Sequence, residues 1–120
     1  MQLLESGEMY LETILILSKQ KNLVRSVDIG EYMGFSKPSV SRAMSRLKAD
    51  HYIIMDPSGY IALTETGRAV AEKIYERHTL LTRWLQKLGV SEENAVNDAC
   101  RMEHFISDET FNAIKREMNE

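Results

Sequence analysis

From Thr64 to about Leu88 the sequence keeps a helical period without a proline, which predicts one helix of roughly 36 Å at 1.5 Å per residue. In a chain of 120 residues a helix of that length dominates the architecture. It leaves room for one compact domain, or for two small units that share it, and helices this long commonly link two functional regions. The rest of the chain is not interruptive either. With two prolines in total, an apolar fraction of 43% and a charged fraction of 28%, the expectation is a mainly α globular fold.

The segments before that helix have distinct punctuation. Met9 to Lys19 is periodic, with Ser6 as its expected cap, and places Met9 and Glu12 on one face. Ser26 is expected to cap a short helix, Val27 to Met33, ended by Gly34 in a left-handed conformation. Ser36 then caps another helix, with Pro38 in the first turn, where its missing N–H costs nothing. Val40, Ala43, Met44 and Leu47 form the buried stripe of this helix, leaving Ser39, Ser41, Arg42 and Arg46 on other faces. A short helix, a glycine-containing turn and a second helix with small polar and basic residues near its start make a helix-turn-helix, whose second helix enters a major groove. Tyr52 to Met55 and Tyr60 to Leu63 are β-prone and flank Asp56-Pro57-Ser58-Gly59, a type I turn signal, so a small wing follows.

Charge is distributed to match. The net charge of −3 argues against a nucleic-acid partner until it is divided. Ser36 to Ala49 holds Lys37, Arg42, Arg46 and Lys48 and no acid, for +4, whereas Ser91 to Glu120 carries −5. Ser36, Lys37, Ser39 and Ser41 are assigned to phosphates, Arg42 to a base edge and Arg46 to the backbone, with Pro38 completing the DNA-facing set. A lone charged helix face is usually only solvated; the turn and the wing lift this one above that reading.

After Gly89, Ser91 and Ser107 each precede a pair of acids and should start two further helices. Cys100, Glu103 and His104 fall at i, i+3 and i+4, so a thiol, a carboxylate and an imidazole should share one face of one helix. Singly, a cysteine is more often core filling and a glutamate a solvated acid. Together they are a metal-capable set. Paired with the DNA-reading segment, the set points to a metal-controlled transcription regulator. Val96, Ala99, Met102, Phe105, Ile106, Phe111 and Ile114 supply apolar faces, more than so short a chain needs, and two-fold operators make a homodimer the economical partner.

The order and spacing resemble the diphtheria-toxin-repressor family of metal-dependent repressors, including its manganese-sensing branch. The resemblance rests on Glu8-Met9-Tyr10-Leu11, Thr64-Glu65-Thr66-Gly67-Arg68, Arg77-His78 with Leu80, Ala99-Cys100-Arg101-Met102-Glu103-His104 and Ser107-Asp108-Glu109, which span nearly the whole chain. It implies a winged helix-turn-helix domain at 1–68, a helical metal-binding and dimerisation domain at 69–120, and repression from a palindromic operator. It also implies ligands: Met9, Cys100, Glu103 and His104 match the iron-sensing branch. Glu12 and His78 match a pair added in manganese sensors, so the chain looks like a hybrid. The family's ancillary iron site wants an acid at Thr82 and a histidine at Val96; here only His78 survives. The chain stops at Glu120, so the expected form is the short one without an SH3-like domain. Cys100 is further expected to offer its backbone carbonyl.

Thioether and thiolate are soft donors and carboxylates hard, a mixture that ranks Fe(II) first and Mn(II) second and tolerates Co(II), Ni(II) or Zn(II). The N-terminal stretch is broken by Glu5, Glu8 and Glu12, so neither a signal peptide nor a membrane span is expected. With a single cysteine there is no intramolecular disulfide, and a reducing cytoplasm is the natural setting. Two rival readings remain at this level. One is a winged-helix regulator that answers to a small organic ligand or binds DNA independently of metal. The other is a metalloenzyme, disfavoured because no HExxH, Ser-His-Asp set or phosphate-binding glycine loop is present.

Overall fold

The computed structural model describes residue 3 and residues 5–119; Met1, Gln2 and Leu4 of the N-terminal stretch and Glu120 of the acidic tail lie outside it. The elements run α1 (Glu5–Gln20), α2 (Ser26–Met33), α3 (Lys37–Ala49), β1 (Ile53–Met55), β2 (Ile61–Leu63), α4 (Glu65–Lys87), α5 (Glu92–Met102) and α6 (Asp108–Met118). The chain divides into two compact units, 1–72 and 73–120, with the division falling inside α4.

In the first unit α1 starts earlier than its apolar period suggests. Glu5 opens the helix, so Ser6 lies within the first turn and cannot cap it. Glu5 and Glu8 there place carboxylates at the positive end of the helix, which favours its first turn. The helix α2 also begins one residue before expectation. Asp28 reaches back to accept the Arg25 N–H at 2.9 Å and is paired with Lys21 at 2.8 Å, so Arg25 rather than Ser26 holds the capping position. Gly34 closes α2 at φ 72°, as its composition requires. Ser36 caps α3 by accepting the Ser39 N–H at 3.3 Å.

These helices meet over a shared core of Leu11, Ile14, Leu15, Ile29, Val40, Met44 and Leu47. Ala43 is only half-buried, at the margin of the expected stripe. The wing pairs Ile53 with Leu63, Ile54 with Ala62 and Met55 with Ile61, and its tip is closed by the Gly59 N–H on Asp56 O at 2.9 Å. Ile61 also bridges to Val24, so the wing is tied to the chain between α1 and α2 and not only to its own hairpin. His51 leaves α3 at φ 65°, a conformation histidine tolerates better than most residues. The start of α4 is held against this corner: Thr64 Oγ1 accepts the Gly67 N–H at 3.0 Å and lies 2.7 Å from His51 O. A side chain at Gly67 would collide with the Tyr52 carbonyl.

The second unit packs the remaining turns of α4 with α5 and α6. Its core is small: Ile74, Leu81, Ala95, Ala99 and Phe111. Ser91 and Ser107 cap α5 and α6 through the Asn94 and Thr110 N–H groups. Leu88, Val96 and Phe105 are left exposed.

Candidate metal centre and DNA-reading face

The donors gather where α4 passes the C-terminal end of α5. His78 on α4, Cys100 on α5 and Glu103 just beyond it bring their ligand atoms within 4.8 Å of one another. Glu103 is the centre of the arrangement and is 1% exposed. Its Oε2 lies 3.0 Å from His78 Nδ1 and its Oε1 3.3 Å from His104 Nε2. One carboxylate thus stands between two imidazoles.

The one-helix expectation holds as far as Glu103 and fails at His104. The helix ends at Met102; Glu103 keeps a right-handed conformation as the C-cap, and the next residues tighten into i→i−3 bonds, His104 N to Arg101 O at 3.4 Å and Phe105 N to Met102 O at 3.1 Å. His104 therefore reaches Glu103 through a turn and not through helical spacing. The same tightening directs to Arg101 the N–H that a continued α-helix would give to the Cys100 carbonyl.

Burial makes the centre chemically demanding. A carboxylate removed from water must be compensated by charge or hydrogen bonds. Glu103 Oε1 accepts no hydrogen bond, although it is fully shielded. A cation held among these donors would compensate that oxygen, and thiol, imidazole and carboxylate are the donor types that transition metals take. The set fits a divalent metal on those grounds. His78 answers to the same field: hydrogen bonding to Cys100, then to Glu103, pushes its pKa up to about 10. Cys100 is a free, exposed thiol, which removes the core-filling reading for it.

Met9 and Glu12 lie one turn apart on α1 in the first unit, as their spacing requires; Met9 is half-buried and Glu12 buried. Thr82 and Val96, the departures from the ancillary iron pattern, have other surroundings. Thr82 Oγ1 donates to the His78 carbonyl at 2.7 Å, and Val96 is exposed.

On the first unit, α3 presents the expected polar face. Ser36, Lys37, Pro38, Ser41, Arg42 and Arg46 are exposed and Ser39 half-buried. Ser36 Oγ donates to Ser39 Oγ at 2.9 Å and Arg42 Nη2 lies 3.5 Å from the same oxygen, so the three form a chain along the start of the helix. In the wing, the Ser58 and Tyr60 N–H groups both donate to Asp56 Oδ1 at 2.9 Å, a turn-stabilising role. The Tyr60 ring carries the Arg25 guanidinium 4.5 Å from its centroid.

Two residues have contacts that the sequence reading does not assign to them. Arg25 stands beside the wing because of the Val24 bridge, which no local pattern announces. Arg77 is buried at the turn that bears Glu103 and His104. A signal for Arg77 exists: it interrupts the apolar row Ala71, Ile74, Leu81 of α4, and a charge in that row needs partners.

Comparison with known proteins identifies the family of the chain. Residues 2–60 match the sequence model of the iron-dependent repressor N-terminal DNA-binding domain, and residues 64–120 that of the iron-dependent repressor metal-binding and dimerisation domain. The HTH-type transcriptional regulator MntR of Geobacillus kaustophilus (strain HTA426) is 36% identical over 111 residues, which cover 92% of this chain and 77% of that protein. The transcriptional regulator MntR of Escherichia coli O6:H1 is 37% identical over 106 residues, 88% of this chain and 68% of its own. Among solved structures, the manganese regulator SloR superposes with a TM-score of 0.84 at 26% identity over 94% of this chain. This chain spans about half of that one, 53%. A manganese-dependent repressor in complex with manganese, at 24% identity and a TM-score of 0.86, shares the fold. These relatives are DNA-binding regulators and not enzymes, so the metalloenzyme reading falls away. With a relative this similar over nine-tenths of the present chain and both family domains matched in order, the chain belongs to the iron-dependent repressor family of metal-dependent transcriptional regulators.

Proposed function

We propose that this chain represses genes of metal-ion homeostasis by binding a palindromic operator as a homodimer when a divalent metal occupies the centre around Glu103. The observation that carries the reading is the buried Glu103 carboxylate between His78 and His104, with the Cys100 thiol in reach. His78, Cys100, Glu103 and His104 would hold the ion. Met9 and Glu12 are added to the set on the residue-by-residue match to the family's two branches. A bound divalent ion supplies positive charge that offsets local acids and ties the ligands into one arrangement.

The chain's own residues do the rest. Residues 1–68 form the reading head, in which Ser36, Lys37, Pro38, Ser39 and Ser41 lie against phosphates, Arg42 reads a base edge and Arg46 holds the backbone. Residues 69–120 hold the metal and, through exposed apolar residues such as Leu88, Val96 and Phe105, face a second copy. Metal binding would then favour one of several pre-existing arrangements, the one competent to bind the operator. The setting is a reducing cytoplasm, in which the Cys100 thiol stays available. Among the described residues no helix is long and apolar enough to cross a membrane.

Fe(II) is the ion that the soft sulfur donors favour. The manganese relatives support Mn(II) as the second reading. Anaerobic operator-binding titrations with Fe(II), Mn(II), Co(II) and Zn(II) rank the ions. Glu103→Ala and His104→Ala should each abolish metal-stimulated operator retardation in gels while circular dichroism remains helical; unchanged retardation in both overturns the proposal. Arg42→Ala should keep metal binding and weaken specific operator binding by about 1–3 kcal/mol.

A further inference from the structure

Arg77 occupies a position that the ligand set does not explain. Its side chain is 6% exposed, yet it contributes nothing to the donor cluster. Its guanidinium instead spans the turn that follows α5. Nη1 donates to Glu103 O at 3.1 Å and to Ile106 O at 2.8 Å, and Nη2 donates to Asp108 Oδ1 at 2.5 Å. The planar group lies 5.3 Å from the Phe111 ring centroid.

The carbonyls it takes stand at both ends of the four-residue segment 103–106, where helix α5 has ended and α6 has not begun. Backbone carbonyls at such a place need partners, and a short turn rich in them is otherwise free to fray. Arg77 satisfies both ends at once, and Asp108 at the start of α6 fixes the direction of the fork. Lys73, one turn earlier on α4, shares Asp108 at 3.1 Å. Lys73, then Arg77, hold the Asp108 carboxyl below the usual carboxylate range, so it stays an anion.

Chain position gives this clamp its consequence. Arg77 adjoins His78, whose Nδ1 faces Glu103 Oε2. One stretch of α4 therefore fixes the backbone of Glu103 through one residue and meets its carboxylate through the next. We propose that Arg77, with Asp108, is a positioning residue for the metal centre: it holds the 103–106 turn so that Glu103 and His104 stand against His78 before any ion arrives. The inference rests on the ligand reading above. A centre organised in advance avoids the entropy of ordering its ligands on binding, so affinity should depend on Arg77 although it is no ligand.

The test is Co(II) titration of the 120-residue chain, followed by its visible spectrum, for the parent, Arg77→Gln, Arg77→Lys and Asp108→Asn. Arg77→Gln should weaken Co(II) binding by about 10–100-fold while the spectrum of the loaded site keeps the parent's sulfur-to-cobalt absorption. Lysine lacks the planar fork and should rescue the loss only in part. Hydrogen exchange on the metal-free proteins should speed up at the amides of 103–107 in Arg77→Gln and stay at the parent rate in α1 to α3. Affinity within twofold of the parent in Arg77→Gln overturns the inference, as does loss of protection throughout the second unit. If Arg77→Gln does not fold, Asp108→Asn decides by the same criteria: a severalfold loss of Co(II) affinity with a parental spectrum supports the clamp, and an unchanged affinity overturns it. A parent that binds Co(II) without sulfur absorption would instead sink the ligand set itself.

Discussion

The proposed reading face of α3 and the proposed metal centre around Glu103 are built by opposite routes. Every residue assigned to DNA lies between Ser36 and Arg46, so one helix start, its cap and its period position them all. The metal-capable donors come from α4, from α5 and from the turn beyond it, and the Arg77 clamp joins positions 26, 29 and 31 residues apart. A local site tolerates drift elsewhere in the fold. An assembled site exists only while several elements keep their places, and that dependence lets ligand binding at the site report on the arrangement of the chain.

The contrast is sharpest in its response to pH. His78 gains a proton-holding environment from Cys100 and Glu103, whereas α3 contains no acid to create one. Its pKa, raised from 6.5 to about 10, means that its contribution to stability is full below about 6.5 and is lost as pH rises through about 10. A metal needs the neutral ring and must displace that proton, so His78 alone should make metal affinity rise about tenfold per pH unit up to its pKa. Calorimetry in buffers of different ionisation enthalpy counts the protons released. A pH-independent affinity would remove His78 from the ligands.

Damage to the corner that carries α4 should test the other region. Gly67→Ala drives a methyl into the Tyr52 carbonyl, backbone that cannot swing aside. A destabilisation of about 1–3 kcal/mol or more is expected, read as a lower midpoint in thermal or urea unfolding. A variant as stable as the parent would mean that the start of α4 is not fixed against the wing.

The smallest effect concerns the local site. Ser36→Ala removes the α3 cap and should cost about 1 kcal/mol in stability, with metal affinity at the parent value. Any change in metal affinity there would break the separation between the two regions.

Much of this was legible along the chain. The caps at Ser36, Ser91 and Ser107, the glycine end of α2, the wing turn and the span of α4 all follow from groups within a few residues of one another. The start of α1 was not, because Glu5 and Glu8 stabilise its first turn through charge where the apolar period is silent. Nor was the cap of α2, which depends on Asp28 reaching back to Arg25. For the centre, spacing brought Cys100 and Glu103 together correctly and placed His104 on a helix that in fact ends at Met102.

The sequence by itself determined the helical fold, the order of its elements and the chemical character of each candidate donor, since these depend on backbone preference and side-chain type over short spans. Tertiary structure decided that His78 faces Glu103, that a buried carboxylate stands between two imidazoles, and that Arg77 closes the turn beneath them. Those outcomes depend on which helix face meets which, and on the requirement that each buried polar group find a partner once water is gone.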